Sequence, residues 1–103
     1  MSQLTTPKER TEIRDATEAK RPPLYKVLLL NDNYTTTEFV VMVLEQVFNK
    51  NHVNAERIML SVHQKGTGVA GVYVKDIAEM KCDAVQRLAQ TQGFPLCCDM
   101  EPE

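Results

Sequence analysis

The sequence predicts an α+β fold, a small single domain in which three helices pack on a short three-stranded antiparallel sheet. Its length of 103 residues leaves room for one domain, and a hydrophobic content of 43% is enough for a core. Apolar residues recur at strand and helix spacing in the order β-α-α-β-α-β. Because the connections are too short for further elements, we expect the helices to cover one face of the sheet.

Residues 1–23 differ in composition from the rest of the chain. They contain five basic and four acidic residues, and after the first Met their only large apolar side chains are Leu4 and Ile13. Such a segment cannot build a core, and Arg21-Pro22-Pro23 disfavours a helix at its end. We predict a flexible, disordered N-terminal extension that could reach about 75 Å when fully extended. A core domain follows at residues 24–103.

The first strand is predicted at residues 24–30, where apolar and strand-favouring side chains are nearly continuous. Asn31-Asp32-Asn33 then forms a turn, because Asn and Asp side chains bond to nearby backbone groups. Thr35 and Glu38 have the spacing of a capping box, which indicates the start of a helix. The first helix is predicted at residues 36–49, with an apolar stripe of Phe39, Val40, Val43, Leu44, Val47 and Phe48.

The second half of the chain contributes two helices and two strands. Asn51 can cap a second helix, and Gly66 supplies its stop. After Gly66 the residues favour β-structure and their apolar side chains alternate over a short period. Apolar residues at helical spacing then follow. The remaining elements are a second strand at residues 68–74, a third helix marked from Ile77 to a stop at Gln92-Gly93, and a last strand at residues 96–100.

Charge and hydropathy argue against several classes of partner. Twelve Lys and Arg against fourteen Asp and Glu give a net charge of −2 and a pI of about 5.7. No basic block could follow a phosphate backbone. The longest apolar run is far shorter than a membrane span, and residues 1–20 lack the apolar stretch of a secretory signal. We expect a cytoplasmic protein that binds neither nucleic acid nor membrane.

The cysteines and histidines give no metal or cofactor site. Cys82, Cys97 and Cys98 are odd in number, and the two adjacent ones are poorly placed to pair with each other. Reduced thiols are therefore expected. Together with His52 and His63 they are too few, and too irregularly spaced, for a zinc site.

His63 falls in the last turn of the second predicted helix. Met59 and Val62 lie on the same helix face, so an imidazole beside an apolar surface is one interpretation. The other is a structural histidine, which the helix dipole favours near a C-terminus. The position of His63 alone leaves both interpretations open.

Five motifs agree in order and spacing with one known family. They are Leu29-Leu30-Asn31-Asp32-Asn33-Tyr34-Thr35, Glu38-Phe39-Val40, Met59-Leu60-Ser61-Val62-His63, Gly71-Val72-Tyr73 and Pro95-Leu96. From about Leu24 to Met100 the chain resembles the ClpS family. ClpS proteins are adaptors of the bacterial N-end rule. They hold proteins whose first residue is a large hydrophobic one and pass them to the Clp ATPase, ClpA, for degradation by its peptidase, ClpP.

The resemblance implies roles for three groups of residues. The α-amino group of a substrate is held by Asn31, Asp32, Asn33 and His63. The pocket for its first side chain is lined by Thr35, Thr37, Val40, Met59, Val62 and Leu96. The N-terminal domain of ClpA is contacted by Tyr34, Glu38, Asp76 and Lys81. The implied partners are therefore N-degron peptides and proteins that begin with Phe, Tyr, Trp or Leu, together with ClpA, and no cofactor or metal is implied.

The chemistry of these residue types fits the implied ligand. An α-ammonium group is a triple donor, and an amide oxygen, a carboxylate and a neutral imidazole are all acceptors. Three positions depart from the usual family pattern, because Asn33, Thr36 and Thr37 stand where Asp, Pro and Met are usual. The departures alter the second acid, the proline and the methionine of the implied pocket.

Two other functions would use the same residues. A small enzyme could use His63 and Asp32 as acid and base, although no nucleophile, oxyanion loop or cofactor motif accompanies them. An assembly module would keep the fold without needing a free amine on its ligand. We predict a non-enzymatic, monomeric binding module that delivers substrates.

Overall fold

The computed structural model describes residues 21–103. In chain order its elements are β1 (Leu24–Leu30), α1 (Thr37–Gln46), α2 (His52–Lys65), β2 (Thr67–Val74), α3 (Lys75–Gln92) and β3 (Cys97–Pro102). The predicted α+β fold and the order β-α-α-β-α-β are confirmed. The predicted disordered extension lies outside the described residues, apart from residues 21–23.

The three strands form one antiparallel sheet with β1 in the centre. The strand order is β2-β1-β3, so both edges of β1 are paired. At the end of β1, Leu30 lies opposite Thr67 of β2 and opposite Cys97 of β3. The turn that follows β1 therefore leaves the sheet where β2 begins.

The helices cover the sheet around a single apolar core. Val27 and Leu29 of β1 are fully buried and alternate with half-buried residues that point to the other face of the strand. Val43 and Leu44 of α1 and Val85 of α3 are also fully buried. Complete burial of a Val or Leu side chain stabilises the folded state by about 1.5–3 kcal/mol. The core thus joins β1 to helices α1 and α3.

The first helix starts one residue later than predicted. Its N-cap is Thr36, whose hydroxyl accepts a hydrogen bond of 3.1 Å from the Phe39 amide. The predicted capping box of Thr35 with Glu38 is therefore wrong. Thr35 is held in the preceding turn, because its amide and its hydroxyl both donate to Asp32 at 2.7 Å. The extended backbone that an N-cap needs occurs at Thr36, with φ of −74° and ψ of 152°.

The first helix also ends three residues earlier than predicted, at Gln46 rather than Asn49. Asn49 has a left-handed backbone with φ of 56°, which a helix cannot contain. The Lys50 amide then donates to the Leu44 carbonyl at 3.0 Å. The backbone therefore leaves the helical path although the apolar stripe continues to Phe48.

The other two helices follow their local signals. Asn51 caps α2 by accepting a hydrogen bond of 2.8 Å from the Asn54 amide, and Gly66, with φ of 90°, ends it as predicted. The third helix begins at Lys75, two residues before the first predicted marker, Ile77. Within residues 21–103, no helix combines the length and apolar character needed to cross a membrane.

The last strand is displaced from the predicted residues 96–100. It spans Cys97–Pro102, and Leu96, which is only 4% exposed, precedes it as part of the core. The strand also brings two thiols together, with the Sγ atoms of Cys98 and Cys82 at 3.0 Å. None of the three cysteines is in a disulfide bond in the described residues.

Candidate functional site

A cavity of about 240 Å³ opens beside the end of β1. Three segments meet around it: the turn after β1, the start of α1 and the last turns of α2. Its lining residues are Asn31, Asp32, Asn33, Thr35, Thr37, Val40, Met59, Val62 and His63. These are nine of the ten residues predicted for the α-amine site and the side-chain pocket. The exception is Leu96, which is not a lining residue and is buried in the core.

One glycine joins the turn after β1 to the end of α2. The Asn31 amide donates to the Gly66 carbonyl at 2.9 Å, directly beyond the pairing of Leu30 with Thr67. Gly66 donates its own amide to the Val62 carbonyl at 3.0 Å. Asn31 is therefore fixed beside the helical turn that carries His63, although the two residues are far apart in the sequence.

The Asp32 carboxylate organises the turn. Its Oδ1 accepts hydrogen bonds from the amides of Tyr34 and Thr35 at 2.8 and 2.7 Å, and its Oδ2 accepts one from the Thr35 hydroxyl at 2.7 Å. Partial burial raises the pKa of Asp32, but the hydrogen bonds from Thr35 and Tyr34 lower it, and the net pKa lies below the ordinary 3.8. Asp32 therefore brings a negative charge to the cavity at neutral pH.

Polarity divides the lining into two parts. Exposed Asn31, Asn33 and His63 form a polar edge with Asp32. Val40 and Val62 are only 5% and 3% exposed and form the apolar base with half-buried Met59. We call the first set the rim (Asn31, Asp32, Asn33 and His63) and the second set the floor (Val40, Met59 and Val62). Together they suit a ligand with a hydrogen-bonding cationic head and an apolar side chain.

The hydrogen bonds of Asp32 also bear on the alternative of an acid–base enzyme. All three come from Tyr34 and Thr35, so the carboxylate holds the turn rather than orienting the imidazole of His63. Among residues 21–103, no group of three or more His, Cys, Asp or Glu side chains is placed to hold a metal ion.

The four residues predicted to contact the ATPase lie in two places. Tyr34, which is 77% exposed, and exposed Glu38 border the turn and the start of α1. Exposed Asp76 and half-buried Lys81 lie on α3. The first pair adjoins the cavity, and the second pair lies on a separate element.

Lys81 also has a structural role that the sequence does not indicate. Its Nζ donates to the Val47 carbonyl at 2.7 Å, just past the end of α1. The same ammonium lies 5.5 Å from the centre of the Tyr73 ring, within the range of a cation–π contact. Lys81 thus supplies a donor to the C-terminal end of α1, where carbonyl groups lack partners within the helix.

A second cavity, between α1 and α2, has no counterpart in the sequence predictions. It has a volume of about 420 Å³ and is lined by Thr37, Glu38, Val41, Met42, Glu45, His52, Glu56 and Met59. His52 lies between two carboxylates, with Nδ1 2.8 Å from Glu45 Oε2 and Nε2 3.2 Å from Glu56 Oε2. The i, i+4 spacing of His52 and Glu56 is a local signal for one of these contacts. Nothing local signals the contact with Glu45 on the other helix.

Comparison with known sequences assigns the chain to a family. The model of the family described as ATP-dependent Clp protease adaptor protein ClpS matches residues 20–99. The adapter protein ClpS of Desulfatibacillum aliphaticivorans is 55% identical over 100 residues, which cover 97% of this chain and 88% of that protein. The adapter protein ClpS of Acetivibrio thermocellus is 50% identical over 103 residues, the full length of both chains.

A solved structure agrees with these sequences. The fold is similar to that of Agrobacterium tumefaciens ClpS2 bound to L-phenylalaninamide, with a TM-score of 0.78 and 46% sequence identity. The similarity covers 81% of this chain and all of that one. In sequence and in fold, the chain therefore belongs to the ClpS family of ATP-dependent Clp protease adaptor proteins.

Proposed function

We propose that the protein is a non-enzymatic adaptor that binds the first residue of N-end rule substrates and delivers them to ClpA for degradation by ClpP. The rim holds the free α-amine, and the floor takes the side chain of Phe, Tyr, Trp or Leu. The observation that supports this proposal most is that the polar rim and the apolar floor share one cavity.

The rim suits an α-ammonium group better than any internal part of a peptide. The ammonium carries a charge and three donors, whereas a peptide bond offers one uncharged donor. Asp32 supplies the opposite charge, and amide and imidazole groups supply further acceptors. L-Phenylalaninamide, the molecule bound to Agrobacterium ClpS2, has a free α-amine beside a phenyl side chain, as has the first residue of a Phe-starting peptide.

The floor explains why a substrate with a large apolar first side chain is preferred. Val40 and Val62 are buried before any ligand arrives, so an apolar group that covers them removes its own surface from water. Full burial of a Leu or Phe side chain contributes about 1.5–3 kcal/mol. A small or charged first residue gains little or none of this energy.

Delivery involves residues that do not line the cavity. Tyr34, Glu38, Asp76 and Lys81 contact the N-terminal domain of ClpA, and residues 1–23 act in transfer rather than in peptide binding. The protein does this as a monomer in the cytoplasm. Because Lys81 also bonds to Val47, a Lys81 variant tests the ATPase contact only if its stability is measured alongside.

A series of peptides that differ only in the first residue tests the proposal. We expect Phe, Tyr, Trp and Leu to bind about 10- to 100-fold more tightly than Ser or Glu, the factor that corresponds to burying one large side chain. Fluorescence anisotropy with labelled peptides measures the dissociation constants. Degradation of the same peptides fused to a reporter, with ClpA and ClpP present, measures delivery. Equal affinity for Phe and Ser would contradict the proposal.

Selectivity among the large residues should depend on Thr37. This residue is exposed, lines the cavity and is short and stiff at χ1, whereas Met is long and adaptable. When the opening of the cavity beside Thr37 is wide, a Phe ring that reaches the floor keeps more of its contacts than a Leu side chain does. Thr37→Met should therefore improve Leu binding more than Phe binding, by about 0.8 kcal/mol for each methylene newly buried.

Thr37→Val is the matched control for this variant. It keeps the branched shape and removes only the hydroxyl, which lies 3.4 Å from the Glu38 carboxylate. The ratio of the Leu and Phe dissociation constants should stay unchanged in Thr37→Val. Equal gains for Leu and Phe in Thr37→Met, or no gain for either, would show that this position does not set selectivity.

A further inference from the structure

Two thiols meet between α3 and β3. Cys82 lies on the buried face of α3, together with Ala78 and Val85. Cys98 lies on β3 opposite fully buried Leu29 of β1 and packs against the same core. The S–H group of Cys98 donates to the Sγ atom of Cys82, and the two sulfur atoms are 3.0 Å apart. We call Cys82 and Cys98 the thiol pair.

The fold holds both members of the thiol pair in place. Cys82 belongs to a helix that is packed in the core, and Cys98 belongs to a strand that is paired with β1. An S–S bond is about 2.05 Å long, so the two sulfur atoms need to approach each other by about 1 Å to form one. Rotation of the two side chains about their Cα–Cβ bonds supplies a movement of this size. The folded protein therefore presents the two thiols close to bonding distance.

Other roles suit the thiol pair less well. Two thiols are too few for the four ligands of a structural zinc site, and within residues 21–103 no third metal-ligating side chain joins them. Exposed Cys97 is not a competing partner for Cys98, because adjacent side chains of a strand point to opposite faces of the sheet. The chemistry that remains is that of a dithiol, which loses two electrons to become a disulfide.

We propose that Cys82 and Cys98 form a redox site at which a hydroperoxide converts the two thiols into an internal disulfide that fastens β3 to α3. Cys98 is the more exposed of the two thiols and reacts first. Its thiolate attacks the hydroperoxide and breaks the O–O bond. Cys98 becomes a sulfenic acid, and the other oxygen takes up the thiol proton and leaves as an alcohol, or as water if the oxidant is hydrogen peroxide.

The second step closes the disulfide. The Sγ atom of Cys82 attacks the sulfenic sulfur of Cys98, and the sulfenic hydroxyl leaves with the proton of Cys82 as water. Each sulfur has then lost one electron, and the hydroperoxide has accepted both. A dithiol reductant reverses the reaction by exchange, because it becomes a disulfide itself and returns two thiols to the protein.

Burial sets the rate of this oxidation. It raises the pKa of the Cys98 thiol and also that of Cys82, and the negative charge of Asp99 raises both pKa values further. The thiolate is the nucleophile, so little of the reactive form is present at neutral pH. The thiol pair therefore responds to prolonged rather than brief exposure to the oxidant, and its oxidation accelerates as the pH rises.

The disulfide stabilises the last strand of the sheet. β3 is an edge strand that pairs with β1 alone, and edge elements of this kind open more readily than the core. The new bond joins residues 16 positions apart and restricts the unfolded chain. We expect oxidation to raise the thermal midpoint of unfolding by on the order of 10 °C.

The test compares two variants of the full chain that each keep two thiols. Cys97→Ser keeps the thiol pair, whereas the matched control Cys98→Ser keeps Cys82 and Cys97. Both are treated with tert-butyl hydroperoxide at mildly alkaline pH and examined by mass spectrometry and thermal denaturation. Cys97→Ser should lose the mass of two hydrogen atoms, gain thermal stability and return to its starting state with dithiothreitol. Cys98→Ser should form no internal disulfide and gain no stability.

Three results would overturn the inference. They are addition of oxygen to Cys97→Ser without loss of two hydrogen atoms, thiols that stay unreacted after prolonged treatment, and a disulfide that leaves the thermal midpoint unchanged. Persistent thiols would leave the pair with a packing role alone. The result is independent of the proposed function, because neither Cys82 nor Cys98 lines the candidate site.

Discussion

Acetylation of the α-amine should weaken the binding of a Phe-starting peptide by about 30-fold or more. Acetylation removes the positive charge and leaves acceptors of the rim facing an amide that carries one donor. Each acceptor that the bound peptide covers without giving it a partner costs about 1–3 kcal/mol, and about 1.4 kcal/mol corresponds to a factor of ten in affinity. Asp32 adds to this loss, because its carboxylate is fixed by three hydrogen bonds and cannot turn away.

Two matched measurements separate charge from bulk. An α-N-methylated Phe peptide keeps the charge and adds a methyl group, so it should lie between the free and the acetylated peptides. Raising the pH above about 8 removes the ligand's own proton and should weaken the free peptide but not the acetylated one. Anisotropy at each pH gives the dissociation constants. Equal affinity of the free and acetylated peptides at pH 7 would contradict recognition of the α-amine. It would support the alternative of an assembly module that does not need a free amine on its ligand.

Asp32→Asn completes a double-mutant cycle with acetylation. The variant loses the negative charge, so the penalty for acetylating the peptide should be smaller than in the unmodified protein. It also loses one of the oxygens that accept from Tyr34 and Thr35, so its thermal stability must be measured in parallel. An unchanged acetylation penalty would mean that Asp32 serves the turn and not the ligand.

Gly68→Ala should destabilise the protein by about 1–3 kcal/mol, the usual cost of overpacking a core. A Cβ at this position would lie 2.7 Å from Val62 Cγ2 and 3.1 Å from the Ile58 carbonyl oxygen. Val62 is β-branched and restricted at χ1 in a helix, and the carbonyl belongs to the helix backbone. The strain can therefore be relieved only by moving α2 away from β2. Denaturation with urea measures the free energy of unfolding.

The same substitution should weaken peptide binding beyond the loss of folded protein, because Val62 and His63 both line the cavity. Gly71→Ala is the matched control. There an added Cβ meets the outer end of the Tyr73 ring, which can swing aside more readily than helix backbone. It should cost less stability and leave peptide affinity unchanged. Equal stability of Gly68→Ala and the unmodified protein would show that α2 does not depend on this close approach.

Periodicity predicted the fold well and the boundaries of α1 poorly. The order of elements follows from the spacing of apolar residues, and Asn51 and Gly66 mark the ends of α2 by themselves. Three consecutive threonines stand at the start of α1, and the first two, Thr35 and Thr36, could each cap the helix. Which of them does so depends on the hydrogen bonds that Thr35 donates to Asp32, and these are set by the folded turn. Local sequence therefore leaves this boundary undecided.

The candidate site depended on the family resemblance rather than on local pattern. No periodicity indicates that Asn31 and His63 line one cavity, since their proximity arises from strand pairing and the bond of Asn31 to Gly66. The bond of Lys81 to Val47 joins residues 34 positions apart, and the contact of Glu45 with His52 joins two helices. Contacts of this kind need the packed structure, which is why the sequence predictions omitted them.

The hydrogen bond from Asn31 to Gly66 has a consequence for the thermodynamics of recognition. It extends the pairing of β1 with β2 by one step, so part of the rim is a continuation of the sheet. The conformational entropy of these rim residues is lost when the protein folds and is not lost again with each ligand. A rim ordered by the fold in this way lowers the entropic cost of binding the α-amine of the proposed ligand.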